Sequence, residues 1–183
     1  MTFPGSLLAA ALSLVALTAQ ADSGALTLES ASFTDGGVIA LKQVGPDTSC
    51  GSGEERTPQV SWSNLPAGTR SVALVMFDPD GGKGLGVVHW VAYNIDAEHG
   101  NLEEGSAGQT TKAVTVGRNS RGMLTYRGPC PPAGDNPHHY ALTLIATDLA
   151  PGSLPEGLDR QGLLDALQNH ALGGQSIVGR YGH

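Results

Sequence analysis

The chain has 183 residues, only 15% of them charged against the ~25% of an average soluble protein, and its 17 Asp plus Glu outweigh 10 Lys plus Arg for a formal charge of −7. A hydrophobic content of 40% excludes a disordered chain, and the lack of a dense basic run argues against nucleic-acid binding. Its 26 Gly, about twice the ~7% average share, and 11 Pro favour short strands joined by turns over a helical bundle.

Residues 7–17 read LLAAALSLVAL. This run is too short to cross a bilayer, which takes ~20 residues. Ala19-Gln20-Ala21 follows as a small-x-small cleavage pattern. The reading is an export signal over residues 1–21, cut after Ala21, and a single domain over 22–183. Residues 1–6 hold no Lys or Arg, so the terminal amine is the one positive charge of that end. Export places the mature protein in the periplasm or outside the cell, with no transmembrane segment after cleavage. In such an oxidising compartment the two cysteines, Cys50 and Cys130, are expected to form one disulfide.

Along the mature chain, residues 26–33 alternate loosely between apolar and small polar side chains. The segment 42–57 reads as a surface loop anchored by Cys50. Val60 and Trp62 alternate with Ser61 and Ser63, and Asn64-Leu65-Pro66-Ala67-Gly68 makes a turn. Residues 71–77 (SVALVMF) form a continuous apolar run, as in a strand buried on both faces. Residues 87–95 (VVHWVAYNI) and 140–147 (YALTLIAT) are rich in β-branched and aromatic side chains, and 176–181 reads as a last short strand. Regular helices between these strands are mostly missing, which favours antiparallel over parallel pairing. Ser153-Leu154-Pro155-Glu156 resembles a capping box. The stronger helical pattern is in 160–172, where Leu163, Leu164, Leu167 and Ala171 share one face and Gly173-Gly174 supplies a left-handed stop. Its polar face lacks a Lys/Arg cluster, so the Leu face is expected to pack on the core rather than on a membrane.

Three segments place unusual polar groups beside strands: Asp78-Pro79-Asp80, His89-Trp90, and Gly128-Pro129-Cys130-Pro131-Pro132 followed by Pro137-His138-His139-Tyr140. On a regular strand His89 shares a face with Val87, Val91, Tyr93 and Ile95, so it is expected to point inward. Taken singly, these motifs also read as a core histidine, an Asp-Pro turn and a rigid proline loop.

Together, in this order and spacing, they resemble the phosphatidylethanolamine-binding protein family, in its bacterial Raf-kinase-inhibitor-like branch. Thr57-Pro58-Gln59-Val60-Ser61-Trp62, Tyr93-Asn94-Ile95, Gly117-Arg118-Asn119 and Gly179-Arg180-Tyr181-Gly182 also fit, so the resemblance runs from about Leu26 to Tyr181. It implies a mainly β fold with a few helices, a β-sandwich around a central antiparallel-rich sheet, and one amphipathic helix near the C-terminus. It also implies a small anion pocket, to which Asp78, His89, Gly128, Cys130, Pro131, His138 and Tyr140 are carried over by motif. The ligands implied are phosphate-like anions and phospholipid headgroups. The chain departs from the family at Gly81-Gly82-Lys83-Gly84, which replaces Ala-Pro and softens the pocket rim, at His139, which replaces an arginine, and at Glu55, which stands where the family has Asn.

An anion site needs donors, which the Gly128 loop, His89, His138 and Tyr140 can supply. Asp78 repels a phosphate dianion, so its place in the set makes sense if it holds a histidine proton, or takes one from a monoprotonated phosphate or an ammonium headgroup. Affinity is then expected to rise as pH falls through about 6.5, the ordinary histidine value. No catalytic residue, metal or cofactor is assigned. The alternatives for the same residues are an Asp/His-based hydrolase, which lacks a GxSxG or other nucleophile motif, and a metal site of two histidines and one carboxylate. A role as inhibitor or regulator of a partner protein is the remaining expectation.

Overall fold

The computed structural model describes Met1 and residues 24–183, so the apolar run and the cleavage site after Ala21 lie outside the described residues. Two antiparallel sheets face each other. The smaller contains β1 (Thr27–Glu29), β2 (Val60–Ser63) and β5 (Asn101–Leu102), in the order β1-β2-β5. The larger contains β3 (Ser71–Asp78), β4 (Val87–Asp96), β6 (Thr115–Val116), β7 (His138–Thr147) and β8 (Ala171–Tyr181), in the order β6-β4-β3-β7-β8. The apolar run of β3 is therefore central, hydrogen-bonded to β4 and β7 and buried on both faces, as its unbroken hydrophobicity requires.

The main core lies between the sheets. Leu28, Val60, Trp62 and Leu102 of the small sheet meet Val72, Leu74, Met76, Trp90, Leu142 and Leu144 of the large one. Full burial of each such side chain contributes roughly 1.5–3 kcal/mol. On the outer face of the large sheet, Ala73, Val75, Val91 and Tyr93 pack against Leu163 and Leu167 of α1 (Arg160–Leu167), the one α-helix among the described residues. The helix stripe is thus core. No helix among the described residues is long and apolar enough to cross a membrane.

Three local expectations change. The cap of α1 is Asp159, whose carboxylate accepts the Gly162 N–H at 2.8 Å, rather than the Ser153 segment. The helix ends at Leu167, and Gly173 and Gly174 lie within β8 without positive φ. They are small for another reason: a Cβ on Gly173 would sit 3.0 Å from the Pro66 ring, and one on Gly174 would sit 3.1 Å from the Leu144 carbonyl. The segment 42–57 is not a plain surface loop, because Gln43, Val44, Cys50 and Thr57 are buried.

Strand β4 carries the feature that builds the site. Its register against β3 slips between Met76 and Phe77 and again between Val72 and Leu74. Each slip is a β-bulge, which turns two successive side chains to one side. Trp90 and Ala92 join the inter-sheet core, while Val88, Val91 and Tyr93 join the helix-side cluster. His89 does not share a face with Val91 and Tyr93, as regular alternation predicts. The bulge sends it to the inter-sheet side beside Trp90, against Tyr140.

Candidate functional site

The ends of β3, β4 and β7 meet at one edge of the large sheet. Asp78, the last residue of β3, and His138, the first of β7, are 3% and 9% exposed, and the bulge brings His89 beside them at 5%. The His138 ring donates from Nδ1 to Asp78 Oδ2 at 2.8 Å, and His89 Nε2 lies 3.8 Å from the same oxygen. Asp78 Oδ1 accepts the N–H groups of Asp80 at 2.8 Å and Gly81 at 2.9 Å. Gly81 is required there, because a Cβ would fall 2.8 Å from Asp78 Oδ2 and 2.7 Å from a Val87 methyl.

Burial pushes the Asp78 carboxyl up, but the neighbouring His89 imidazole, the hydrogen bonds from His138 and the Gly81 N–H, and the charge of His138 outweigh it and hold the group below its ordinary value. A carboxyl lowered by folding stabilises the native state above its unfolded value and loses that contribution as pH falls through the folded one. The unfolding free energy of the wild type is therefore expected to fall toward that of Asp78→Asn below about pH 4. Urea unfolding of both proteins across that range checks this.

The tautomers follow from the partners. His89 Nδ1 lies 2.8 Å from the Arg127 carbonyl, which can only accept, so Nδ1 carries the hydrogen. His138 Nδ1 faces an ionised carboxylate and carries its hydrogen for the same reason. Each imidazole keeps Nε2 for other work. That of His89 is buried and has no hydrogen-bond partner among the described residues.

A cavity of about 380 Å³ opens beside these groups, lined by Asp78, His89, Gly128, Cys130, Pro131 and His138 together with Gly81, Gly82, Val87, Val88, Asn119, Ser120, Arg121, Arg127 and Pro132. Six of the seven residues assigned by motif thus reach one space. Tyr140 does not line it. The phenol is fully buried beneath the imidazoles, edge-on to His89 with ring centroids 5.1 Å apart and stacked on His138 at 6.5 Å. Burial, then the Asp78 charge, pushes its pKa up, so it stays a neutral hydroxyl.

The expected role of the Gly128 N–H as an anion donor does not fit the geometry, because it donates to Glu55 Oε1 at 3.1 Å. Gly128 is needed for packing: a Cβ would sit 2.5 Å from the Gln43 carbonyl oxygen and the Gly45 nitrogen. Glu55, which stands where the resemblance has Asn, adopts the left-handed φ of 54° that suits Asn better. His139 is exposed, pairs with Asp80 through Nδ1 at 2.9 Å, and does not line the main cavity. The disulfide forms between Cys50 and Cys130, Cα atoms 4.5 Å apart, and ties the Pro131 wall to the turn Thr48–Cys50.

Sequence reasoning missed Arg121 and Arg127. A signal was present, since 118–127 holds three arginines in a chain with ten cations in all. Arg127 lies 3.7 Å from Glu55 and 3.9 Å from Asp47. Among the described residues no group of three or more His, Cys, Asp or Glu side chains is placed to hold a metal ion. Asp78 and His138 are instead bonded to each other.

Known proteins share this chain's pattern. The family model described as Phosphatidylethanolamine-binding protein matches residues 29–182. A UPF0098 protein of Methanothermobacter thermautotrophicus is 34% identical over 158 residues, covering 85% of this chain and 98% of its own. The Mycobacterium tuberculosis protein LppC, whose name marks it as a candidate lipoprotein, is 36% identical over 156 residues, or 85% of this chain and 72% of its own. The crystal structure of Escherichia coli YbcL, titled a new member of the mammalian PEBP family, superposes with a TM-score of 0.78 at 26% identity, covering 86% of this chain and 98% of that one.

Proposed function

The chain belongs to the phosphatidylethanolamine-binding protein family, and on that premise we propose that it is an exported protein whose pocket at Asp78, His89 and His138 binds phosphate-like anions or phospholipid headgroups. Residues 1–21 are its export signal and 22–183 its mature domain. The disulfide and the name of the LppC relative support export, to the periplasm or beyond.

One observation carries the binding reading: two imidazoles spend Nδ1 on interior acceptors and line one cavity with Arg121 and Arg127, while His138 Nε2 lies 3.9 Å from the Asp135 carboxylate. A neutral Nε2 accepts a hydrogen from a phosphate hydroxyl or a headgroup ammonium, and a protonated one donates to a phosphate oxygen. The charges that face His89 are Asp78 of β3 and His138 of β7, with the neutral Tyr140 below and the Arg127 backbone at Nδ1. Asp78 carries its charge without repelling the guest outright, since three N–H groups already engage its oxygens.

Titration of inorganic phosphate and of phosphoethanolamine by calorimetry between about pH 8 and 5, the interval in which imidazoles charge, checks the reading. Affinity is expected to rise by about tenfold as pH falls, and His89→Gln is expected to flatten the profile. A flat profile in the wild type, or no binding of either probe, would sink it.

A further inference from the structure

A second cavity of about 440 Å³ adjoins the first, and Val88, Asn119 and Ser120 line both. Its far wall carries Arg118 and Arg160, as the first carries Arg121 and Arg127. Four of the ten Lys and Arg residues of a chain with charge −7 therefore line two touching spaces. Among the described residues, no carboxylate oxygen lies within 4.0 Å of the charged nitrogens of Arg118, Arg121 or Arg160. Arg160 is fixed over the Phe77 ring at 4.8 Å, and Arg118 donates to the Gly122 carbonyl at 3.0 Å. Asp159 is the one carboxylate on that wall, and its Oδ1 already caps α1.

Arg127 already faces Asp47 and Glu55, but Arg118, Arg121 and Arg160 bring positive charge with no carboxylate paired to it among the described residues, and an anion in the cavities supplies that partner. We infer that the second cavity is an anion subsite, and that the preferred guest is a phosphate ester with a second phosphate or carboxylate, one group in each cavity. This rests on the phosphate reading of the first pocket for one of the two groups. The shared wall favours a single spanning molecule over two separate ions, because a tether makes the second contact intramolecular.

Ethyl phosphate and a series of α,ω-alkanediol bisphosphates, titrated against the whole mature protein, test this. One chain length is expected to bind about tenfold tighter than ethyl phosphate, the gain of one charge-assisted contact. Arg118→Gln and Arg160→Gln are expected to remove that gain and leave ethyl phosphate affinity within about twofold, while Arg160→Lys keeps most of it. Vesicles bearing a bisphosphate-headgroup lipid, compared with the soluble bisphosphate, assign the guest to a bilayer if they bind tighter and to solution if weaker. If ethyl phosphate binds and no bisphosphate exceeds it, or if the gain survives both arginine substitutions, the subsite is overturned and the first pocket stands. If ethyl phosphate fails while a bisphosphate binds through Arg118 and Arg160, the reading of the first pocket falls and the second site stands. Binding to anionic vesicles through these arginines without any soluble gain overturns the two-cavity reading in favour of a lipid-facing patch.

Discussion

Replacing Cys50 and Cys130 together with serine is expected to lower the unfolding free energy by about 4–5 kcal/mol. The bridge closes a loop of 80 residues, and the entropy of leaving that loop open in the unfolded chain sets the figure. Two further contacts converge on the same turn. The Tyr181 hydroxyl donates to the Cys50 carbonyl at 2.8 Å, and a His183 ring nitrogen lies 2.8 Å from the Ser49 carbonyl. Urea unfolding with and without reductant measures the loss. A midpoint unchanged by reduction of the wild type would show that packing alone holds these segments. Because Cys130 sits between Pro129 and Pro131 on the pocket wall, the same variant is expected to weaken phosphate binding as well as stability.

Asp78→Ala is expected to be nearly as damaging, at about 3–5 kcal/mol. The carboxylate satisfies three buried or half-buried donors at once: the His138 ring and the N–H groups of Asp80 and Gly81. Its removal leaves them without partners in a region where water enters poorly. Asp78→Asn is the milder companion, since its amide oxygen still accepts from one side. Thermal unfolding of the two variants ranks these costs. If alanine proves no worse than asparagine, the carboxylate is not the keystone of this corner.

Much of the architecture was legible because composition and local pattern agreed with the final packing. The unbroken apolar run at 71–77 could only be a central strand, and it became β3, flanked by β4 and β7. The strands β5 and β6 were not legible, because two residues each are too few to show a period. Gly173 and Gly174 misled for a physical reason. A helix stop and a strand that passes close to Pro66 and the Leu144 carbonyl both call for the smallest residue.

The pocket divides in the same way. Asp78, His89 and His138 stood out as polar groups beside strands. Arg121 and Arg127 did not, because a surface arginine acquires meaning only from the cavity it borders. Gly128 was placed correctly but for the wrong purpose. Its value lies in the backbone at 43–45 that presses against it, a contact 83 to 85 positions away in the chain.

The bulge at His89 has a consequence for anyone moving this strand between scaffolds. A protein edited by alignment preserves the order of amino acids but not the side of the sheet each one occupies. Grafted onto an unbroken strand, the imidazole would turn toward the α1 layer and leave the cleft without its deepest nitrogen. His89 is itself the extra residue between Val88 and Trp90, so the frame of this strand is as much a part of the binding apparatus as the letters written in it.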